Sequence, residues 1–131
     1  AGTIEALGMD WFSKHWADQP IIRSQRNIPP EIRASMSARR TNNRVAGLAG
    51  SLRGMGQGAV RPVWSNIADI QAPVLLLTGD LDQRYTRIAE SMVSALPNGE
   101  HARIPVVGHC VHLESLDVVV NHLDMFLAVS G

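Results

Sequence analysis

The second half of the chain predicts an α/β class built on parallel strands, and three observations carry that expectation. Val74-Leu75-Leu76-Leu77 is a continuous apolar run without alternation, which is how a strand buried on both faces of a parallel sheet reads. Ile88, Met92 and Leu96 recur at a spacing of four and predict a helix from about Thr86 to Leu96, closed by Pro97-Asn98-Gly99. A second short strand, His101 to Val107, then runs into a Gly108-His109 turn and an amphipathic helix over about 115–129. Strand, helix, strand, helix is the doubly wound order, in which helices cover a sheet.

That last helix is expected to bury Leu116, Val119, Val120, Leu123, Phe126 and Leu127, with Ser115 as its capping residue. Two strands alone would expose faces and edges whose sequences demand burial. The sheet is therefore expected to be completed by a missing N-terminal part or by another chain. The absence of an initiator Met suggests a cut or processed piece.

The first half reads as helical. Residues 3–18 form one predicted helix, with Leu7, Trp11 and Trp16 near helical spacing as packing residues, and Pro20 ends it because proline cannot continue the hydrogen-bond ladder. A second helix starts after Pro29-Pro30, with Ile32 and Met36 four apart, and runs to Arg39-Arg40 before Thr41-Asn42-Asn43. A third, over about 44–55, places Val45, Leu48, Leu52 and Met55 on one core stripe. Gly54-Met55-Gly56-Gln57-Gly58 does not qualify as a phosphate loop. No strand precedes it and no Gly-Lys-Ser/Thr ending follows, so it reads as a helix C-terminus and a flexible connection. The expected division is a helical cap over 1–66 and a core portion over 67–131.

Composition bounds the function classes. The 131 residues are 45% hydrophobic, enough for a core, and no apolar run approaches the roughly 20 residues that cross a bilayer. With one Cys there is no internal disulfide, and the N-terminus lacks a basic leader or apolar signal core, so a soluble cytoplasmic protein without membrane association is expected. Net charge is zero, yet residues 21–61 hold eight arginines against Glu31 alone, a local charge of +7. Nucleic-acid faces usually mix Lys with Arg and interleave aromatics, so no nucleic-acid partner is expected. Arg without Lys favours planar, bidentate recognition of carboxylate or phosphate, which points to a small anionic ligand.

Strand exits of an open α/β sheet are where ligands bind. Asp80 and Asp82 stand at the first exit, and His109 stands at the second, 27 residues beyond Asp82. Asp82 could hold the His109 imidazole in one tautomer and stabilise its protonated form, the orienting half of a Ser-His-Asp triad. Asp80 is the competing acid, and its alternative role is to cap the turn. His112 is either a second substrate contact or a packing residue. Cys110 is no nucleophile, because adjacent residues at a strand exit point apart, and Ser51, Ser65 and Ser115 lack a nucleophile-elbow setting.

Pro73-Val74-Leu75-Leu76-Leu77-Thr78-Gly79-Asp80-Leu81-Asp82 followed by Gly108-His109 resembles the C-terminal half of the α/β-hydrolase superfamily, in which the acid follows the penultimate strand and the histidine the last. Ser51-Leu52-Arg53-Gly54-Met55-Gly56-Gln57-Gly58, Arg40-Thr41-Asn42-Asn43, Gln19-Pro20 and Gly108-His109-Cys110-Val111-His112-Leu113-Glu114 narrow the resemblance. Together they resemble the 2-succinyl-6-hydroxy-2,4-cyclohexadiene-1-carboxylate synthases of menaquinone biosynthesis. The resemblance implies a carbon-oxygen lyase step that eliminates pyruvate, with no metal and no organic cofactor.

By resemblance, Asp82 and His109 match the catalytic acid and histidine, Arg40 and Trp16 line the substrate site, and Arg53 is a further cap candidate. The nucleophile serine and the first oxyanion amide are expected N-terminal to residue 1, so the N-terminal half of the same protein is the expected partner and the chain alone should be inactive. Two rivals stand beside this expectation: an esterase or carbon-carbon hydrolase of the same fold, and a non-catalytic anion-binding fragment.

Residues 1–131 expressed alone should lack a sharp cooperative thermal transition as a monomer; calorimetry showing one would contradict the expected sheet completion.

Overall fold

The structure, a computed structural model, describes residues 1–56 and 58–130. It divides into two compact units, Ala1–Pro62 and Val63–Gly131. The 3-10 helix Trp64–Asp69 belongs to the second unit, where it packs with the helix Gln83–Ala95.

The first unit is helical. Helix α1 spans Gly2–Ala17, α2 Pro20–Arg23, a 3-10 turn Ser24–Asn27, α3 Pro30–Thr41 and α4 Val45–Met55. Proline opens both α2 and α3, where its missing N–H costs no helical hydrogen bond. The expected single first helix is corrected by a kink at Gly8, whose φ of 83° is left-handed and interrupts the helix where a side chain would be strained. The kink also changes which residues are inward. Ile4 and Ser13 are buried on α1, whereas Leu7 and Trp16 are exposed. Likewise α4 buries Ala49 through its small side chain, while Leu52 and Met55 of the expected stripe lie exposed. Helix α4 ends at Met55 as expected, with Gly56 as its C-cap; Gln57, part of the predicted connection, lies outside the described residues.

In the second unit the predicted alternation is present: β1 Val74–Gly79, α5 Gln83–Ala95, β2 Gly99–Ile104, the short α6 Val111–Glu114, and α7 Leu116–Ser130. The strands pair in parallel, Val74 opposite Gly99 through Gly79 opposite Ile104, with α5 as the crossover that a parallel pair requires. This register puts both strand exits at one end of the sheet. The second strand stops at Ile104, three residues short of the expected end, because Val106 turns the backbone to a φ of 60°.

The core of this unit is Ile104, Val107, Val111 and Val119, with Leu77 and Val118 packed on it. Of the side chains expected to be buried on α7, only Val119 is buried. Phe126 is half-buried, and Leu116, Val120, Leu123 and Leu127 are exposed. Helix α7 packs mainly on β2 and α6, and so narrow a contact covers only one stripe of so apolar a helix. The half-buried Val74–Leu77 segment reflects the same two-strand sheet.

Ile104 is fully buried, so truncation leaves a cavity. Ile104→Ala should cost about 2–5 kcal/mol in denaturant unfolding of the chain with its sheet completed.

Candidate active site

The sheet end is tightly folded onto itself. A Cβ on Gly79 would collide with the carbonyl oxygens of Val107 and Gly108, so only glycine lets the first exit lie against the second loop. Backbone bonds then lace the two exits: Asp80 N donates to Ile104 O at 3.0 Å, and Leu81 N to Val107 O at 3.0 Å.

The two acids separate into different tasks. Asp80 Oδ1 accepts the Val106 N–H at 2.6 Å, a bond that holds the left-handed backbone of that β-branched residue. Asp82 is 9% exposed and caps α5, its Oδ1 accepting from Tyr85 N at 3.3 Å. Its other oxygen, Oδ2, lies 2.7 Å from His109 Nδ1. An ionised carboxylate only accepts, so with Asp82 in that form the contact places a proton on Nδ1 and leaves Nε2 outside the Asp82 contact. The Asp82 side chain is 7% exposed and that of His109 37%, so the acid is shielded while the imidazole reaches solvent.

The Tyr85 ring lies 4.5 Å from the imidazole at 49°, restricting its rotation from a second side. A cavity of about 180 Å³ beside the pair is lined by Leu76, Thr78, Asp82, Tyr85, Met92 and His109 among others. Behind it, Thr86 Oγ1 donates toward Thr78 Oγ1 and Gly79 O, both at 3.2 Å, and Thr78 Oγ1 meets His101 Nε2 at 2.7 Å. This buried chain satisfies the polar groups under the strand exit.

Tyr85, Glu114 and Asp80's bond to Val106 were not legible as site features in the sequence. For Tyr85 the available signal was its place three residues after an N-cap acid, in the first helical turn. Glu114 accepts from two loop amides, Gly108 N at 3.0 Å and Cys110 N at 3.2 Å. His112, weighed above as a substrate contact, is exposed on α6.

The first unit holds the arginines. Arg40 is half-buried and opens, with Lys14, Arg26 and Arg33, onto a cavity of about 420 Å³. Arg26 is paired with Asp18 at 2.6 Å, and Arg33 Nη1 donates to Arg26 O at 2.9 Å. Trp16 is 40% exposed, its ring 5.6 Å from that of Phe12, and is absent from that cavity's lining. Arg53 has a partner within the unit: its guanidinium forks onto Glu5, at 2.8 and 2.5 Å. That hydrogen bond lowers the Glu5 carboxyl below its ordinary value of 4.5 and raises Arg53. The expected substrate contact at Arg53 thus competes with an ion pair already formed. Among the described residues, no group of three His, Cys, Asp or Glu side chains converges as a metal site would. No helix among the described residues is long and apolar enough to cross a membrane.

The chain is similar in sequence and fold to known proteins. A protein of Bacillus subtilis (strain 168), named for 2-succinyl-6-hydroxy-2,4-cyclohexadiene-1-carboxylate synthase, is 35% identical over 107 residues, covering 82% of this chain and 39% of its own length. Protein PHYLLO, chloroplastic, of Arabidopsis thaliana is 28% identical over 128 residues, 92% of this chain but 7% of that protein. Among solved structures, MenH from S. aureus matches with a TM-score of 0.94 at 27% identity, over 98% of this chain and 48% of that one. Est816, described as an N-acyl homoserine lactone degrading enzyme, matches at a TM-score of 0.66 and 23% identity, which speaks to fold alone. No protein-family model matches the chain.

The parallel strand pair, its crossover helix and these structural matches define the chain as about half of an α/β-hydrolase fold. Within that class it is similar to the protein named for 2-succinyl-6-hydroxy-2,4-cyclohexadiene-1-carboxylate synthase, and it spans 39% of that protein's length and 48% of the solved MenH chain.

The Glu5–Arg53 pair gives a pH-dependent expectation. Because the folded Glu5 value is lowered, the stabilisation is complete above 4.5 and is lost as pH falls through the lowered value. In an NMR titration Glu5 should protonate below 4.5, and Arg53→Ala should return it to the ordinary value.

Proposed function

We propose that this chain supplies the acid–histidine half of the active site of a carbon-oxygen lyase that eliminates pyruvate to form 2-succinyl-6-hydroxy-2,4-cyclohexadiene-1-carboxylate. One observation carries it: the shielded Asp82 carboxylate bonded to His109 Nδ1 at 2.7 Å across adjacent parallel strand exits. The sequence kinship with a protein named for that synthase supports the choice of reaction.

In this reading His109 Nε2 draws the proton from a serine hydroxyl, and the serine oxygen removes a proton from substrate carbon. The electron pair of the broken C–H bond forms a new carbon-carbon double bond, and pyruvate departs as its enolate with the pair of the carbon-oxygen bond. The enolate then takes up the proton held by His109 to become pyruvate, which returns the base to its starting state. Asp82 orients the imidazole and offsets its positive charge while it holds the proton. The serine belongs to an N-terminal half that completes the sheet, so the chain alone is inactive. Arg40, facing a cationic cavity in the first unit, binds a carboxylate of the substrate. Trp16 lends apolar surface to the same substrate, and Arg53 contributes only where it leaves Glu5. The site requires no metal or organic cofactor, since proton transfer and charge stabilisation suffice for the elimination.

In the complete protein, His109→Ala and Asp82→Asn should each lower pyruvate release by about 10²–10⁴-fold with little change in melting temperature. Unchanged release would remove His109 from the catalytic role, and p-nitrophenyl ester turnover without pyruvate release would favour an esterase. Arg40→Ala should raise KM about tenfold or more with a smaller effect on kcat, as expected for loss of one charge-assisted contact.

A further inference from the structure

The histidine loop is held by more than the acid that touches the imidazole. Three carboxylates converge on residues 106–110, two from the turn between β1 and α5 and one from α6. Asp80 takes the Val106 N–H, Asp82 takes His109 Nδ1, and Glu114 takes the Gly108 and Cys110 N–H groups. The last pair is distinctive because the two amides bracket His109 in sequence. One oxygen, Oε1, serves Gly108, and the other, Oε2, serves Cys110. With both peptide planes pinned to a single rigid group, the backbone of His109 cannot rotate without breaking a charge-assisted bond.

Glu114 can do this because of its position. Cys110 is the N-cap of α6, and Leu113 N and Glu114 N both donate to its carbonyl, so the first turn of α6 folds the glutamate back over the loop it follows. A side chain reaching back to an N-cap amide is the reciprocal part of a capping box. Here the reach extends two residues further, to Gly108, and so encloses the imidazole-bearing residue. Glu114 is half-buried, which reduces solvent competition for the two amides.

We propose that Glu114 is a positioning residue for His109: it fixes the loop backbone so that Nδ1 meets Asp82 and Nε2 has one defined direction. The proposal rests on His109 acting as the base of the proposed reaction. Its core, that the Glu114 carboxylate sets the His109–Asp82 geometry, is measurable without turnover.

The test uses the complete protein and the isosteric Glu114→Gln, which keeps a carbonyl acceptor for one amide and removes the charge. Amide hydrogen exchange should quicken about tenfold or more at Gly108 and Cys110, and the low-field Nδ1 proton resonance of the His109–Asp82 pair should broaden or vanish. Pyruvate release should fall about 10–100-fold in kcat with KM little changed, the size expected when the partner that orients a functional side chain is lost. Glu114→Asp, whose shorter side chain retains the charge but reaches one amide, should be intermediate in both readouts.

Wild-type exchange provides a check that needs no variant: rapid exchange at both Gly108 and Cys110 would overturn the proposal. So would Glu114→Gln with an intact Nδ1 resonance, or with faster exchange but unchanged kcat. If instead His109→Ala leaves pyruvate release intact while the Nδ1 resonance still depends on Glu114, the catalytic reading fails and the positioning contact stands.

Discussion

Parallel pairing of β1 with β2 is the constraint on which the second unit depends. A parallel pair needs a crossover, and that crossover places both strand exits at the same end of the sheet. Ligand-facing loops of such sheets emerge there. With Gly79 opposite Ile104, Asp82 and His109, 27 residues apart in sequence, come within hydrogen-bonding distance. Gly79 enforces the approach because any side chain there would meet the carbonyl oxygens of Val107 and Gly108. Ile104, fully buried at the end of β2, anchors the same junction from the apolar side.

The loop beyond that junction is organised by carboxylates acting on backbone amides. Asp80 holds a residue with a left-handed φ, and Asp82 closes the first turn of α5 while it faces the imidazole. Glu114 spans the amides on either side of that imidazole. Hydrogen bonds to ionised acceptors are the stronger ones, and acceptors carried on strand ends and helix turns move little. Such an arrangement holds the His109 imidazole in one orientation, the kind of preorganisation that lowers reorganisation in the proposed reaction.

In the first unit, charge is distributed among different partners. Arg26 and Arg53 are ion-paired to Asp18 and Glu5, so a run of arginines in sequence does not translate into a uniform anion-binding face. Both pairs are exposed and contribute little to stability. Arg40 is half-buried and lines a cavity with Lys14.

The sequence by itself determined the elements and their order, because patterns of period and punctuation are local. Val74–Leu77 read as a parallel strand, Ile88 and Met92 as one helix stripe, and Gly108-His109 as a turn after a strand. It also singled out Asp82 and His109, since residue types at strand exits are visible without coordinates. Tertiary structure decided what depends on distance across the chain. The choice between Asp80 and Asp82 as the acid facing the imidazole turned on which carboxylate points at His109 and which at Val106. The reach of Glu114 back to Gly108 and Cys110, the diversion of Arg53 onto Glu5, and the kink at Gly8 were also settled only there. So was the exposure of Leu116, Val120, Leu123 and Leu127, because burial depends on which surfaces meet, and an apolar side chain carries no record of its neighbour.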